Sequence, residues 1–397
     1  MSADLPLVSV VTPSYNQGRF IRATIESVLS QDYPNLEYIV MDGGSTDETA
    51  AVAREYRNRL TFISEPDRGQ SHAINKGFAR ARGEIVSWLN SDDLFLPGAV
   101  RHAVEALRRS PEAGAVYGEG YQIDVKGDVI SRFAPTQKFD LWRLLNLSDF
   151  ILQQTAFFRR AVFDRIGWLD ESLYFGMDWE IFMRIGLEYP IEYVPEFMGA
   201  IREYAEAKTA SGGHRRVMEL VKIMRRHGGR AFPPGALVYG LPTYERLLNA
   251  ALAKWPPALA PITNRIARLM SRVTGRVVGE TVRSAQGWYT DGWASTRARL
   301  ALPPPRARAI ELDVFLPPWA PIDRQTIALR SEGRIFARES FGRGEFTIPI
   351  AIPRGLWSKP LHLAVTAERR FLPPAPAVGR RDRRKLCYLL RRVEFEK

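Results

Sequence analysis

Apolar positions in the first 125 residues fall into short runs that alternate with helical patterns. "LVSVVTPSY", "LEYIVMDGG", "LTFISEP", "EIVSWLN" and "AGAVYGEGYQID" each read as a strand, being short, apolar and closed by turn residues. Between them, "RFIRATIESVLSQ" sets Ile21, Ile25, Val28 and Leu29 at helical spacing. "DETAAVAREY", "GQSHAINKGFARA" and "PGAVRHAVEALRRS" carry similar patterns. Strand–helix alternation with short loops predicts an α/β fold around a doubly wound, mostly parallel sheet. From 126 to about 205 the pattern loosens. "VISRF" and "QQTAFFRR" read as strands, "AVFDRIG" and "DWEIFMRIGLE" as helices, and "IEYVPEFMGAIREY" as one long strand or two short ones. Residues 214 to about 285 are helical and basic, interrupted at "FPPG" and "WPPALAP", which predicts several short helices. Beyond 288, "AIELDVFLP", "TIALRSEG", "RIFARESF", "EFTIPIAIP" and "LHLAVTA" alternate between Gly/Pro turns, the pattern of a small all-β sandwich. The expected division is therefore 1–213, a helical basic linker region over 214–287, and 288–397.

Composition adds limits. With 397 residues, 45% hydrophobic and 25% charged, the chain suits a soluble protein of two or three domains. No apolar run approaches the roughly 18–20 residues that span a bilayer, and the first residues carry no secretory pattern. A single cysteine, Cys387, excludes an internal disulfide and a thiolate metal cluster, and fits a cytoplasmic location. The net charge of +12 is unevenly placed: residues 1–200 hold 20 Lys+Arg against 28 Asp+Glu, and the remainder 36 against 16. A basic C-terminal half is suited to a solvated face, an acidic glycan or peripheral contact with an anionic membrane surface. No nucleic-acid-binding motif accompanies it, so nucleic acid is not an expected partner.

In a parallel sheet, ligands bind beyond the carboxyl ends of the strands. Four polar clusters lie there. "TPSYN" offers Thr12, Pro13 and Tyr15, suited to stacking against a base, or a plain turn with Asn16 as cap. "DGGSTD" sets Asp42 ahead of two glycines, where its carboxylate can accept from a base or ribose, with Thr46 or Asp47 free to cap the next helix. "EPDRGQ" adds Asp67 and Arg68, the latter fit to neutralise phosphate or to form a surface ion pair. "NSDD" adds Asn90 and two adjacent carboxylates, Asp92 and Asp93, which are hard ligands for Mg²⁺ or Mn²⁺, or a helix cap.

Four such clusters in this order resemble family 2 of the inverting glycosyltransferases, whose catalytic domain has the GT-A fold. The resemblance covers roughly residues 7–205 and includes "GWLDESLYFGMDWEIFMRI". It implies a metal-dependent hexosyltransferase using a UDP, GDP or dTDP sugar, with a glycan or lipid-linked acceptor, in bacterial cell-surface polysaccharide or glycoconjugate synthesis. Thr12, Pro13 and Tyr15 would line the base and Asp42 would bond it, with Asp67 and Arg68 against nucleotide and ribose. Asp92 would hold Mn²⁺ or Mg²⁺ against the diphosphate, and Asp93 would contact the sugar or cap a helix. Asn90 replaces the Asp usual at the start of the motif. Asp178 would deprotonate the acceptor hydroxyl, with Glu180 in reserve and Met177 where a first acid is usual. Trp168 and Trp179 suit the core or sugar stacking. Where many relatives carry a His near diphosphate or metal, this chain has Tyr204, followed by Lys208 and Thr209, with His214 as a substitute. The "GWYTDGW" stretch and the alternating strands after it resemble a β-domain appended to bacterial glycosyltransferases. Two rivals are a sugar-nucleotide pyrophosphorylase and a non-catalytic glycan-binding or scaffold protein. The first should carry a Gly-rich basic phosphate loop after the first strand, which "TPSYNQGRF" lacks. The second would tolerate loss of Asp92 and Asp178, which are both present.

Overall fold

The structure, a computed structural model, describes residues 5–133, 136–204, 206–208, 212–228, 230–256, 259–286, 293–294, 297–302, 308–316, 321–331, 334–356, 361–369 and 388–395. Thr209, Cys387 and most of "GWYTDGW" lie outside the described residues. Two compact units emerge: residues 1–139 with 149–227, and residues 140–148 with 228–397.

The first unit is built on one sheet in the order β3-β2-β1-β4-β8-β6-β9-β5. β1 (Val8–Ser14), β2 (Leu36–Asp42), β3 (Thr61–Ser64) and β4 (Ile85–Trp88) are mutually parallel. Their register aligns Ser14 with Asp42 and Asp42 with Ser64, so the four polar clusters leave the sheet along one edge. β8 (Phe157–Arg159) runs antiparallel between β4 and β6 (Ala115–Ile123), while β9 (Ile191–Arg202) is parallel to β6. The long apolar pattern at 191–204 thus forms one strand, bent by irregularities opposite Gly118–Gly120. Two strands lie on the margin of this sheet: β5 (Leu94–Phe95) pairs with β9, and β7 (Val129–Arg132) with β6.

Helices α1 (Gly18–Leu29), α2 (Thr49–Glu55), α3 (Gln70–Arg80) and α4 (Ala99–Arg109) follow the strands as their periodicity predicts. α1 buries Ile21, Ile25 and Val28 against Val8, Val10, Val40 and Ile85, each removed from water and stabilising by about 1.5–3 kcal/mol. α6 (Arg160–Ile166), α7 (Met177–Glu188) and α8 (Gly213–Gly228) complete this unit. An aromatic stack anchors α7: Trp88 lies 5.4 Å and 5° from Phe158, which stacks on Phe182 at 5.8 Å. Trp168 stacks on Phe163 at 5.2 Å and Trp179 is buried, so both tryptophans serve the core.

In the second unit, α5 (Leu141–Asn146) and two long helices accompany the strands. α9 (Gly235–Leu252) runs through Pro242, and α10 (Ala260–Gln286) has 27 residues, so the proline breaks give fewer and longer helices than expected. Two four-stranded antiparallel sheets follow. One holds β10 (Trp293–Ala294), β17 (Tyr388–Phe395), β12 (Ala309–Leu316) and β15 (Gly344–Ala351). The other holds β11 (Arg297–Leu302), β16 (Leu361–Ala367), β13 (Arg324–Ser331) and β14 (Arg334–Gly342). Ile310, Leu312, Val314 and Ile350 of the first share a core with Ile327, Leu329, Phe341 and Val365 of the second, which makes the pair a sandwich.

Candidate active site

The loops leaving β1 and β2 are knitted to each other. Asn16, in the left-handed region at φ 52°, accepts the Thr46 amide at 2.9 Å and donates its own amide to Ser45 Oγ. Asp47 accepts from Gly18 N and Thr49 N, so it serves α2's first turn and the neighbouring loop together. Thr12 is buried with its hydroxyl 3.0 Å from Tyr38 Oη, and Pro13 is buried in β1. Tyr15, by contrast, is 62% exposed.

Asp42 is buried and fully engaged. Oδ2 accepts from Gly44 N, Ser45 N and Ser64 Oγ, and Oδ1 from Ser45 Oγ. It thereby holds the "DGGS" turn in shape. Gly43 in that turn gives room: a Cβ there would stand 2.6 Å from Asp67 Oδ2 and 3.4 Å from the Tyr15 ring. Tyr15, Gly43 and Asp67 therefore form one small wall at the ends of β1, β2 and β3. Asp67 Oδ1 also accepts from Gly69 N ahead of α3. Arg68 is exposed and its guanidinium meets Glu171 at 2.5 Å.

The "NSDD" residues divide into two roles. Asp93 is buried and accepts from Arg202 N (2.9 Å), Gln154 Nε2 (2.6 Å) and Asn90 Nδ2 (3.0 Å). Burial and the Asp92 charge beside it push its carboxyl up to about 8, against those three donors. Asp93 is a clamp joining the loop to β9 and to residues 153–155. Asp92 points the other way. Its Oδ2 accepts from Tyr204 Oη at 2.7 Å, its backbone oxygen accepts from Arg202 Nε, and no donor among the described residues reaches Oδ1. Tyr204 also takes a weak bond from Gln17 and packs on Phe20 at 5.2 Å. Burial and Asp92 raise its phenol pKa.

One hard, partly exposed carboxylate oxygen fits a Mg²⁺ or Mn²⁺ ion that takes its other ligands from water and a diphosphate. Among the described residues no cluster of three or more His, Cys, Asp or Glu could enclose a metal alone. His214 is exposed at the start of α8.

Asn90 connects Asp92's loop to the opposite wall. Gln70 Nε2 donates to Asn90 Oδ1 at 2.7 Å, and Lys208 Nζ donates to Gln70 Oε1 at 2.8 Å. Lys208 also lies 4.3 Å from the Tyr174 ring centroid. Its charge acts on Asp178, in the first turn of α7. Asp178 accepts the Trp179 amide at 2.8 Å. Burial pushes its carboxyl up, while that amide, Lys208 and Arg216 pull it down. The loop ahead of it is fixed by Glu219 of α8, which accepts from Tyr174 N, Phe175 N and Gly176 N. Met177 is buried, with its sulfur 2.7 Å from Ser71 Oγ, so an apolar side chain suits the position.

Glu180 is buried and committed elsewhere. Arg184 reaches both its oxygens at 2.9 Å, and His227 Nε2 stands 2.9 Å from Oε1. Burial works against its ionisation, yet His227 and Arg184 outweigh that and its pKa lies below normal.

Asp149 carries no mark in the sequence. It is placed beside the base candidate: burial pushes its carboxyl well up and the Asp178 charge adds to this, while Ile151 N donates to Oδ1 at 2.9 Å. Gln70, Gln154, Arg202 and Glu219 carry little more. Gln70 starts α3 and Arg202 ends β9, but Gln154 and Glu219 carry no positional signal, because their partners lie far along the chain.

Residues 9–167 match the model of the family described as glycosyl transferase family 2. An uncharacterized glycosyltransferase of Mycobacterium tuberculosis is 33% identical over 185 residues, covering 46% of this chain and 70% of the relative. One of Rickettsia typhi is 31% identical over 194 residues, covering 46% of this chain and 61% of the relative. The chain thus spans about six tenths of the length of this relative. A mannosyltransferase of Pyrobaculum calidifontis, solved with GDP-Man and Mn²⁺, is similar at 22% identity and a TM-score of 0.47, covering 70% of this chain and 87% of that one. On the family model and the Mycobacterium tuberculosis relative, the chain belongs to glycosyl transferase family 2.

Proposed function

We propose that the chain transfers a hexose from a UDP, GDP or dTDP sugar to an acceptor hydroxyl of a glycan or lipid-linked glycan, inverting the anomeric centre. Bacterial cell-surface polysaccharide or glycoconjugate synthesis is the setting that suits such an acceptor. The observation that carries this reading is the chain of contacts Asn90–Gln70–Lys208, which joins the Asp92 loop to the wall bearing Asp178. A carboxylate open to a cation on one side and a half-buried carboxylate on the other suit a single displacement between them.

In this reading Tyr15 stacks on the base, with Thr12 and Pro13 forming the strand floor behind it. Asp42 contributes by shaping its turn, and Asp67 faces the nucleotide. Arg68 exchanges Glu171 for phosphate. Asn90 faces ribose or sugar, and Asp93 holds the loop that presents Asp92. A bound Mn²⁺ or Mg²⁺ would be held by Asp92 and would stabilise charge on the departing diphosphate. Asp178 takes the proton of the acceptor hydroxyl as the new bond forms, and needs no covalent intermediate. Lys208 keeps that carboxylate ionisable despite its burial.

Thermal stabilisation by UDP, GDP and dTDP sugars, with and without Mn²⁺, tests the reading. One donor class should raise the midpoint in a cation-dependent way, and Asp92→Ala should abolish the cation's share. Stabilisation by none of them, or an Asp92→Ala response equal to wild type, would reject it.

A further inference from the structure

The acid-free stretch between Glu245 and Glu280 carries Arg246, Lys254, Arg265, Arg268, Arg272 and Arg276. Most of it forms the end of α9 and the length of α10. The apolar residues of α10 divide between two sides. Met270 and Val277 turn inward with the buried Thr274 between them, whereas Ile262, Leu269 and Val273 stand between 45% and 61% exposed. At about 100° per residue, Ile262, Arg265, Leu269, Arg272, Val273 and Arg276 fall within an arc of about 100°. The solvent side of α10 is therefore a mixed stripe of arginines and aliphatic side chains. Leu247 within α9 and Trp255, three residues past its end, are also exposed, at 45% and 49%.

We infer that the solvent face of α10 docks on an anionic lipid bilayer. A solvated arginine face has no use for exposed Ile262, Leu269 and Val273, and a soluble polyanion would meet only the charges. A bilayer with acidic headgroups takes both: arginines at phosphate level and aliphatic groups among the upper acyl chains, with Trp255 suited to the interface. Among the described residues no helix is long and apolar enough to cross a membrane, so this contact is peripheral and lies in the interface plane. The inference does not depend on the catalytic reading and stands or falls separately.

Flotation of the full chain with vesicles of phosphatidylcholine alone, or with phosphatidylglycerol added, tests it. Wild type should float only with the anionic vesicles, less so as salt rises. Arg265→Gln, Arg272→Gln and Arg276→Gln together should weaken binding on the order of 100-fold. Ile262→Gln with Leu269→Gln should also release the protein although every charge remains. These positions are exposed, so the variants should keep the wild-type melting midpoint. No binding to anionic vesicles overturns the proposal. So does binding that the apolar variant leaves intact, which identifies a polyanion site. A concentration-dependent dimer that the apolar variant dissolves also overturns it, because the face then covers a second copy.

Discussion

Tyr204 Oη lies 2.7 Å from Asp92 Oδ2, closing one side of the carboxylate that the proposed cation site would use. The phenol donates to Oδ2 and so draws charge from the carboxylate whose other oxygen would meet a cation, and its ring is held by Phe20. Tyr204→Phe keeps that packing and frees the oxygen. It should tighten Mn²⁺ binding several-fold, a fraction of the about 1.5–3 kcal/mol that a hydrogen bond to a charged acceptor is worth. Calorimetric titration with Mn²⁺ reads this directly. Weaker binding in the variant would mean that Tyr204 is itself a ligand.

Asp178→Asn should reduce turnover on the order of 10²–10⁴-fold while leaving donor binding unchanged. The base must be ionised to act, and burial raises its pKa, so the acid limb of the rate profile should lie above the ordinary carboxylate range. Asp149, pushed up further than Asp178, is still protonated where the base titrates, so Asp149→Asn should leave that limb in place. Rate–pH profiles of the two proteins check this, and a limb that moves would contradict it.

The same pair affects stability with a definite sign. A carboxyl whose folded pKa is raised binds more protons folded than unfolded, so stability falls as pH rises from the unfolded to the folded value. Asp149→Asn should therefore raise the melting midpoint at neutral pH, and the gain should vanish at acid pH where both carboxyls are protonated. Scanning calorimetry at the two pH values decides it.

Glu180 has the opposite sign. Its pKa is lowered, so its contribution is present above the unfolded value and lost as pH falls through the folded one. Glu180→Gln breaks a buried ion-pair cluster with Arg184 and His227, and should destabilise by about 3–5 kcal/mol. The catalytic rate of the folded fraction should stay near wild type. Denaturant unfolding together with active-site titration separates the two effects.

Gly43→Ala places a methyl 2.6 Å from Asp67 Oδ2. That carboxylate ends a flexible side chain, so folding should suffer little. Donor affinity should fall about tenfold or more because Asp67 leaves the wall it shares with Tyr15. A nucleotide titration beside a melting curve reads both.

Much of this site was legible because parallel strands deliver their carboxyl ends to one edge. Asp42, Asp67 and Asp92 therefore converge although 50 residues separate the first and last. The division between Asp92 and Asp93 was not legible. It depends on Gln154, Arg202 and Tyr204, which reach the pair from 61 to 112 residues away. Asp149 escaped for a similar reason, lying in an irregular segment with no periodic pattern around it. β5 is two residues long, too short for alternation to register. Glu180 looked like a second base by spacing alone. Only the folded packing of Arg184 and His227 shows where its charge is used.

Turnover of UDP, GDP and dTDP sugars by wild type, Asp92→Ala and Asp178→Asn, each with and without Mn²⁺, tests the central claim most directly. The account predicts cation-dependent release of one nucleoside diphosphate by wild type. It also predicts loss of the cation dependence in Asp92→Ala, and retained donor binding without turnover in Asp178→Asn. Equal release by all three proteins, or release by none with no donor bound, would contradict it.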